Sequence, residues 1–414
     1  MGDQVLDYDV IVTGGGPIGC SAARDIAAQG YQVLILEEHQ KIGEPVQCSG
    51  LISERALKIS RVSNKVVLNK LKGAVVHTPN KNILNLKGDR VYGVVVDRGA
   101  FDRDLAAQAA GAGAKICHGK RVVSFDYLTD GLKINTTSGD GSNCSFTCKL
   151  LIGADGFNSV AARLLDLPPA QEKVTLFAAE VSLPGFGGHL AHIFLDHLLA
   201  PGWFGWLMPV RENFARAGIG RSPLMNRDWR ESPRLLFEKL IAKYPIFKGL
   251  EVLKTTGGIV PIGYLERTYD TRVLLAGDAA AQVKPISGGG LYLGLKGASF
   301  CAATAIEALQ KNDFSRAFLR TYQDAWDEDF GLEIRCGLKH REIFLDMDNG
   351  EIEFLIGFLN KPYWRKIILK YGDLDYHSRL AAKLSLAPPW ANRFLENGLK
   401  VLLRGLAQAA ECRY

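Results

Sequence analysis

The feature that most constrains this chain is a glycine-rich turn set between a buried-strand pattern and a helical pattern near its start. Val10-Ile11-Val12 is a β-branched apolar run of the kind found inside parallel sheets, and Gly14-Gly15-Gly16-Pro17-Ile18-Gly19 follows it. Gly14 allows the tight turn out of the strand. Gly16, with Pro17 after it, lets a pyrophosphate approach the backbone, and Gly19 lets the helix pack against the strand. The helix N-terminus offers free N–H groups and the positive end of its dipole to phosphates. A second apolar strand, 32–36, ends at Glu37-Glu38. That places Glu37 about twenty residues beyond the glycines, where a carboxylate can accept hydrogen bonds from a ribose. Residues 1–40 therefore read as a dinucleotide-binding βαβ unit, and an acid at Glu37 disfavours a 2′-phosphate.

Far along the chain the same grammar returns. Val273-Leu274-Leu275 is a short apolar strand, Ala276-Gly277-Asp278-Ala279-Ala280 is a glycine turn, and a helical pattern runs on to residue 311. Between the two lie a loop over 41–58, alternating strands over 63–97, an alanine-rich helix opening at Arg98, hairpin strands over 115–150 and a strand ending at Gly153-Ala154-Asp155-Gly156. Residues 170–262 change character to aromatic strands. From residue 314 the pattern is helical, with breaks at Pro362 and Pro388-Pro389. The expected fold is α/β: a Rossmann-like nucleotide domain of the glutathione reductase type over 1–165 and 265–330, with an antiparallel-sheet substrate domain inserted over 166–264. A C-terminal helical region follows over 331–414, and 60–97 contributes to the substrate side.

Composition narrows the function classes. The chain has 414 residues, 47% hydrophobic, yet no uninterrupted apolar run long enough to span a bilayer. Its eight cysteines are scattered without a C-x-x-C pair. They read as reduced thiols of a cytoplasmic protein and argue against an internal iron–sulfur centre. His189, His192 and His197 do not share one strand face, so no metal site is expected. No nucleic-acid module is present. The formal charge of +6 equals the excess of ten basic over four acidic residues within 361–414. A stripe of Leu395, Leu399, Leu402, Leu403 and Leu406 beside Lys400 and Arg404 fits a helix resting peripherally on the inner face of a membrane.

The motifs taken together resemble the flavoprotein hydroxylase-like superfamily and, within it, the geranylgeranyl reductases. The superfamily resemblance covers residues 8 to 325. It rests on the first glycine turn with Glu37, on Gly153-Ala154-Asp155-Gly156 with Ser159, and on Gly277-Asp278. The resemblance implies FAD as cofactor. It assigns Asp278 to the ribityl and phosphate region, Asp155 and Gly156 to the turn behind the dinucleotide, and Arg98 to the cofactor edge. Pro285 and Gly288-Gly289-Gly290 correspond to the loop against the isoalloxazine. Glu38 and Val122 complete the expected cofactor set. Two stretches resemble geranylgeranyl reductases specifically. Gly43-x-Pro45-Val46-Gln47-Cys48-x-Gly50 is similar to the loop that puts a cysteine beside the flavin. The 201–209 stretch, with Trp203, Phe204, Trp206 and Met208, is similar to the P-x-x-Y-x-W-x-F-P signature, but Phe204 replaces the tyrosine and Met208 the phenylalanine.

This resemblance implies an FAD-dependent reductase that saturates the double bonds of isoprenoid chains carried by a lipid or a polyprenyl diphosphate. An isolated alkene has no carbonyl to polarise it, so hydride delivered to one carbon requires a proton at the other. Cys48 is the candidate catalytic residue for that proton, and the four large side chains of 201–209 are candidates for the hydrocarbon wall. Only one dinucleotide fingerprint exists, so electrons must come from an external reductant, NAD(P)H or a ferredoxin-like protein. Two other readings stay open: a flavin monooxygenase of the same superfamily, and a flavin electron carrier to a quinone.

Overall fold

The computed structural model describes residues 5–80, 82–225 and 231–384. Strand Tyr8–Thr13 lies inside an eight-stranded sheet, in parallel register with Val33–Leu36 on one side and Asn143–Gly153 on the other. Parallel pairing continues outward to Lys115–Cys117 and to Val273–Leu275. Because both faces are covered, Val10, Ile11 and Val12 are all fully buried. Alternate residues feed different cores. Val10 and Val12 face helices Pro17–Ala27, Arg98–Gly111 and Leu291–Lys311. Ile11 faces the hairpin strands Arg121–Tyr127 and Leu132–Thr137 together with helix Val160–Leu164.

A second sheet of seven strands runs in the order Glu251–Ile262, Glu172–Ser182, Phe214–Arg221, Gly205–Arg211, Leu190–Phe194, Gly73–His77, Ile83–Lys87. It is antiparallel except where Leu190–Phe194 meets Gly73–His77. The last two strands come from the stretch before residue 97, so two separate stretches of chain build this sheet. A small sheet, Leu51–Ile52, Gly93–Val96 and Val67–Leu71, joins the two large ones.

Helices Arg316–Trp326, Leu332–Asp346, Asn349–Leu359, Pro362–Tyr371 and His377–Leu384 form the described C-terminal part. Arg341 ties it to the substrate sheet. Its guanidinium donates twice to Glu172 at 2.5 Å and once to Gly202 O at 3.0 Å, and all of these groups are buried. The leucine stripe of 395–406 lies outside the described residues.

The structure differs from the sequence reading in three places. The 41–58 stretch is irregular only to residue 50, then forms Leu51–Ile52 and helix Glu54–Ser60. Ser53 caps that helix by accepting from Ala56 N at 2.9 Å, a cap signal hidden among glycines. Within 170–262, helix Pro233–Lys243 packs Leu236, Phe237 and Leu240 onto the sheet. Ser232 as N-cap and Pro233 in the first turn mark its start. Finally, Cys336 is disulfide-bonded, whereas Cys20, Cys48, Cys117, Cys144, Cys148 and Cys301 are free. Scattered spacing gives all eight as reduced thiols.

Candidate active site

The first glycine turn makes a cradle from backbone. Gly14 has φ +94°, and a Cβ there would meet Ala154 O at 2.4 Å; a Cβ on Gly19 would lie 2.1 Å from Gly14 O. These two glycines let turn, helix and neighbouring strand close on each other. Gly16 is different, since a Cβ there would point into open space. It caps helix Pro17–Ala27, whose first turn carries no acidic residue. The N-terminal N–H groups therefore keep their attraction for an anion.

Glu37 fixes the same turn. Its Oε2 accepts from Gly15 N at 2.7 Å, while Oε1 accepts from His39 N at 2.9 Å and lies 2.6 Å from His39 Nδ1. Glu38 is an exposed neighbour, 3.8 Å from Arg121. Val122 is buried in the core with Leu36 and Ile134, in a strand paired to Thr136. Asp155 approaches from the neighbouring turn. One of its oxygens accepts from Val160 N at 2.8 Å, and the other is buried without a partner. Burial pushes its carboxyl above the usual range, against the pull of Ser159. A Cβ on Gly156 would likewise meet nothing within 4 Å.

The second glycine turn closes the cleft. Gly277 has φ +68°, and a Cβ there would strike Ile18 at 2.8 Å. Burial raises Asp278 to about 6, against the field of Arg98. Arg98 is held by Asp102 at 3.2 Å. Burial alone would lower its pKa, but Asp102 and Cys48 beside it hold it above the ordinary value. Arg98, Cys48 and Asp278 thus converge from three distant segments. The loop 285–290 is held by Gly288 N donating to Lys284 O at 2.9 Å and by Pro285 against Gly337. Gly288, Gly289 and Gly290 are each part-exposed. Ser287 Oγ in the same loop is buried without a partner.

Beside Cys48 lies a small recess lined by Val46, Cys48, Trp206, Arg216, Lys254 and Thr256, among others. Of the four candidate wall residues, Trp206 reaches it, with its indole N–H buried and unpartnered. Phe204 stacks on Trp203 with centroids 5.1 Å apart and meets Trp206 edge-on at 6.1 Å. Trp203 is buried below Gly288, with Arg341 4.7 Å over its ring. Met208 packs into the core with Leu71 and Val95.

Sequence reading missed Arg216. Its Nη1 donates to Ser49 O at 3.0 Å and Val96 O at 2.9 Å, and Nε pairs with Glu180 at 3.3 Å. Thr256 Oγ1 donates to Val46 O at 2.7 Å. Both clamp the cysteine loop onto the seven-stranded sheet. An arginine in the strand Phe214–Arg221, whose central residues are otherwise buried and apolar or glycine, was the available signal.

The orphaned Asp155 oxygen, the open space at Gly16 and Gly156, and the uncompensated helix end together fit a dinucleotide lying from Glu37 past Asp278 to the 285–290 loop. When bound, FAD supplies the two-electron chemistry.

Comparison with known proteins agrees with this geometry. The family described as FAD binding domain matches residues 7–326. The chain is 34% identical to an uncharacterized protein of Methanocaldococcus jannaschii, over 91% of this chain and 95% of that one. It is 31% identical to digeranylgeranylglycerophospholipid reductase 2 of Methanopyrus kandleri, over 86% and 91% respectively. The crystal structure of a geranylgeranyl bacteriochlorophyll reductase-like protein from Thermoplasma acidophilum superposes with TM-score 0.83 at 23% identity, covering 95% of this chain and 99% of that one. With a family match spanning most of its length and a named relative above 30% identity, the chain belongs to the FAD-binding-domain family and, within it, to the digeranylgeranylglycerophospholipid reductases.

Proposed function

We propose that this protein is an FAD-dependent oxidoreductase that saturates carbon–carbon double bonds in the geranylgeranyl chains of glycerophospholipids or their precursors. The observation that carries this reading is the match over 86% of the chain to a digeranylgeranylglycerophospholipid reductase. The recess supports it. Cys48, beside Arg98, stands between the side where FAD would lie and a hollow bounded by Trp206. The clamp from Arg216 on Ser49 O and Val96 O holds the backbone next to Cys48, which serves the alignment of reacting groups. Cys48 is our candidate for delivering the proton that accompanies hydride transfer.

Electrons come from an external reductant, since one nucleotide cradle is filled by the flavin. The lipid substrate favours peripheral membrane contact. Supporting this, Lys87, Arg365, Lys366 and Lys370 line a groove with only Asp89 in opposition, next to Tyr363, which is 48% exposed. No helix among the described residues is long and apolar enough to cross a membrane.

The test is mass spectrometry of a geranylgeranylated phospholipid incubated with chemically reduced protein. Each saturated bond adds one H₂. Good flavin reduction with no such mass gain removes the reading. The Cys48→Ala variant is expected to keep its flavin and lose most turnover; full turnover would take Cys48 out of the mechanism.

A further inference from the structure

A buried cation sits under the glycine loop. Lys284 is 4% exposed. A Cβ on Gly289 would meet Lys284 Cε at 2.8 Å and Nζ at 3.1 Å, so the ammonium lies directly behind that residue's backbone. The loop then runs into the 21-residue helix Leu291–Lys311, which Gly290 caps and whose first turn has no acidic residue. The positive end of this helix lies at the end of the loop that Lys284 backs.

The counter-charge comes from the C-terminal part of the chain. Lys284 Nζ donates to Leu374 O at 2.5 Å and lies 3.4 Å from Asp375 Oδ1. Asp375 is also shared with Arg55 at 3.1 Å, and Arg55 grips Asp373. Lys284 therefore shares its nearest acid with Arg55, and Glu333 and Asp373 add their fields to that of Asp375. Burial lowers its pKa, and Asp375 first, then Glu333 and Asp373, pull against that. Its field reaches further: burial first, and then Lys284, drive His377 down to about 3. Glu333 accepts from His377 N at 2.7 Å, and His340 is the remaining titratable neighbour, held low by burial. Exposed lysines cost little to place, whereas a buried ammonium is costly unless its charge is used or paired.

We propose that Lys284 sets the reduction potential of the bound flavin, and that Asp375 trims its effect. This rests on the reading that places the 285–290 loop against the isoalloxazine. Two electrons and one proton taken up by the ring leave one negative charge on it. A fixed cation behind the loop favours that anion over the neutral oxidised form. Lys284 does not touch the reacting atoms; it acts through the loop, as a positioning charge.

The test is spectroelectrochemical titration of the FAD-loaded full-length protein. Lys284→Met is expected to lower the reduced-to-oxidised ratio at fixed poise about tenfold, which for a two-electron couple is about 30 mV. Asp375→Asn is expected to move the potential the opposite way, and it keeps the test alive if Lys284→Met does not fold. Unmoved potentials, or shifts of the same sign in both variants, overturn the proposal. Hydrogen exchange of the loop amides with and without FAD separates the two levels. Protection on binding with unmoved potentials removes Lys284 alone. Absence of protection removes the loop placement and the proposal with it.

Discussion

The nucleotide cradle and the substrate face are built by opposite means. The cradle is local: strand, turn and helix are consecutive, and three glycines position its backbone. The substrate face is assembled from far-apart segments. The cysteine loop at 43–50 is clamped by Arg216, and Trp203 is roofed by the 285–290 loop and by Arg341 from the C-terminal helices. The cradle depends on what its residues lack, namely a Cβ. The substrate face depends on what a few buried charged groups supply. A change in the cradle should therefore show in flavin content, and a change across the face should show in stability or turnover while flavin stays bound.

The sharpest way to break this contrast lies within the cradle. A side chain on Gly16 meets open space in the protein but would occupy the place of the phosphates. Gly16→Val is expected to fold with the melting temperature of the flavin-free wild type and to carry less than about a tenth of its flavin, a loss typical of blocking a preformed anion site. Flavin absorbance per mole of protein, with a thermal melt on the same sample, checks it. Normal flavin content would show that the phosphates do not sit at this turn.

Across the face, Arg341→Leu leaves the Glu172 carboxylate buried and alone. That is expected to cost about 3–5 kcal/mol, read from the urea midpoint. The double variant Arg341→Leu with Glu172→Leu should recover most of the loss, because the penalty belongs to the stranded charge. A single variant as stable as the double would mean the pair is not a closed unit.

The same contrast explains what was readable. The glycines, Glu37, Asp278 and the parallel strands carry short-range patterns, and their chemistry needs little beyond neighbours in sequence. The 201–209 stretch was conspicuous as a block, yet the sequence could not say which side chain meets the hollow. Trp206 does, with Gly218 leaving room for its indole, while Met208, two residues on along the same strand face, packs against Leu71 and Val95. Arg216 and Lys284 stayed silent for another reason. Each acts through a contact with a segment more than eighty residues away, and nothing local marks such a partner.

Arg216 offers the intermediate test. Arg216→Met removes the donors to Ser49 O and Val96 O while the methylene stem is retained. The expected cost is about 2 kcal/mol for two lost charge-assisted bonds to carbonyls that the loop can partly re-solvate. Turnover should fall about tenfold, as loss of alignment at a reacting group can produce, with flavin content unchanged. Equal loss of flavin and turnover would move Arg216 into the cradle.

The smallest expected effect lies in the seven-stranded sheet, inward of its edge strand Ile83–Lys87. His77 Nε2 and His192 Nδ1 are 2.9 Å apart across the parallel pair Gly73–His77 and Leu190–Phe194. Burial, and then His77, hold His192 down at about 4, against an ordinary 6.5. The unfolded chain therefore takes up this proton between pH 6.5 and pH 4 while the folded protein does not. Stability contributed by the neutral pair is fully present above pH 6.5 and is lost as pH falls through that window. His192→Asn, which keeps a polar side chain of similar reach without the titration, should flatten the urea midpoint over this range by about 1 kcal/mol and leave flavin content and neutral-pH turnover as they are. A wild-type profile already flat across the window would mean that the pair opens to solvent and that this part of the sheet is looser than its packing indicates.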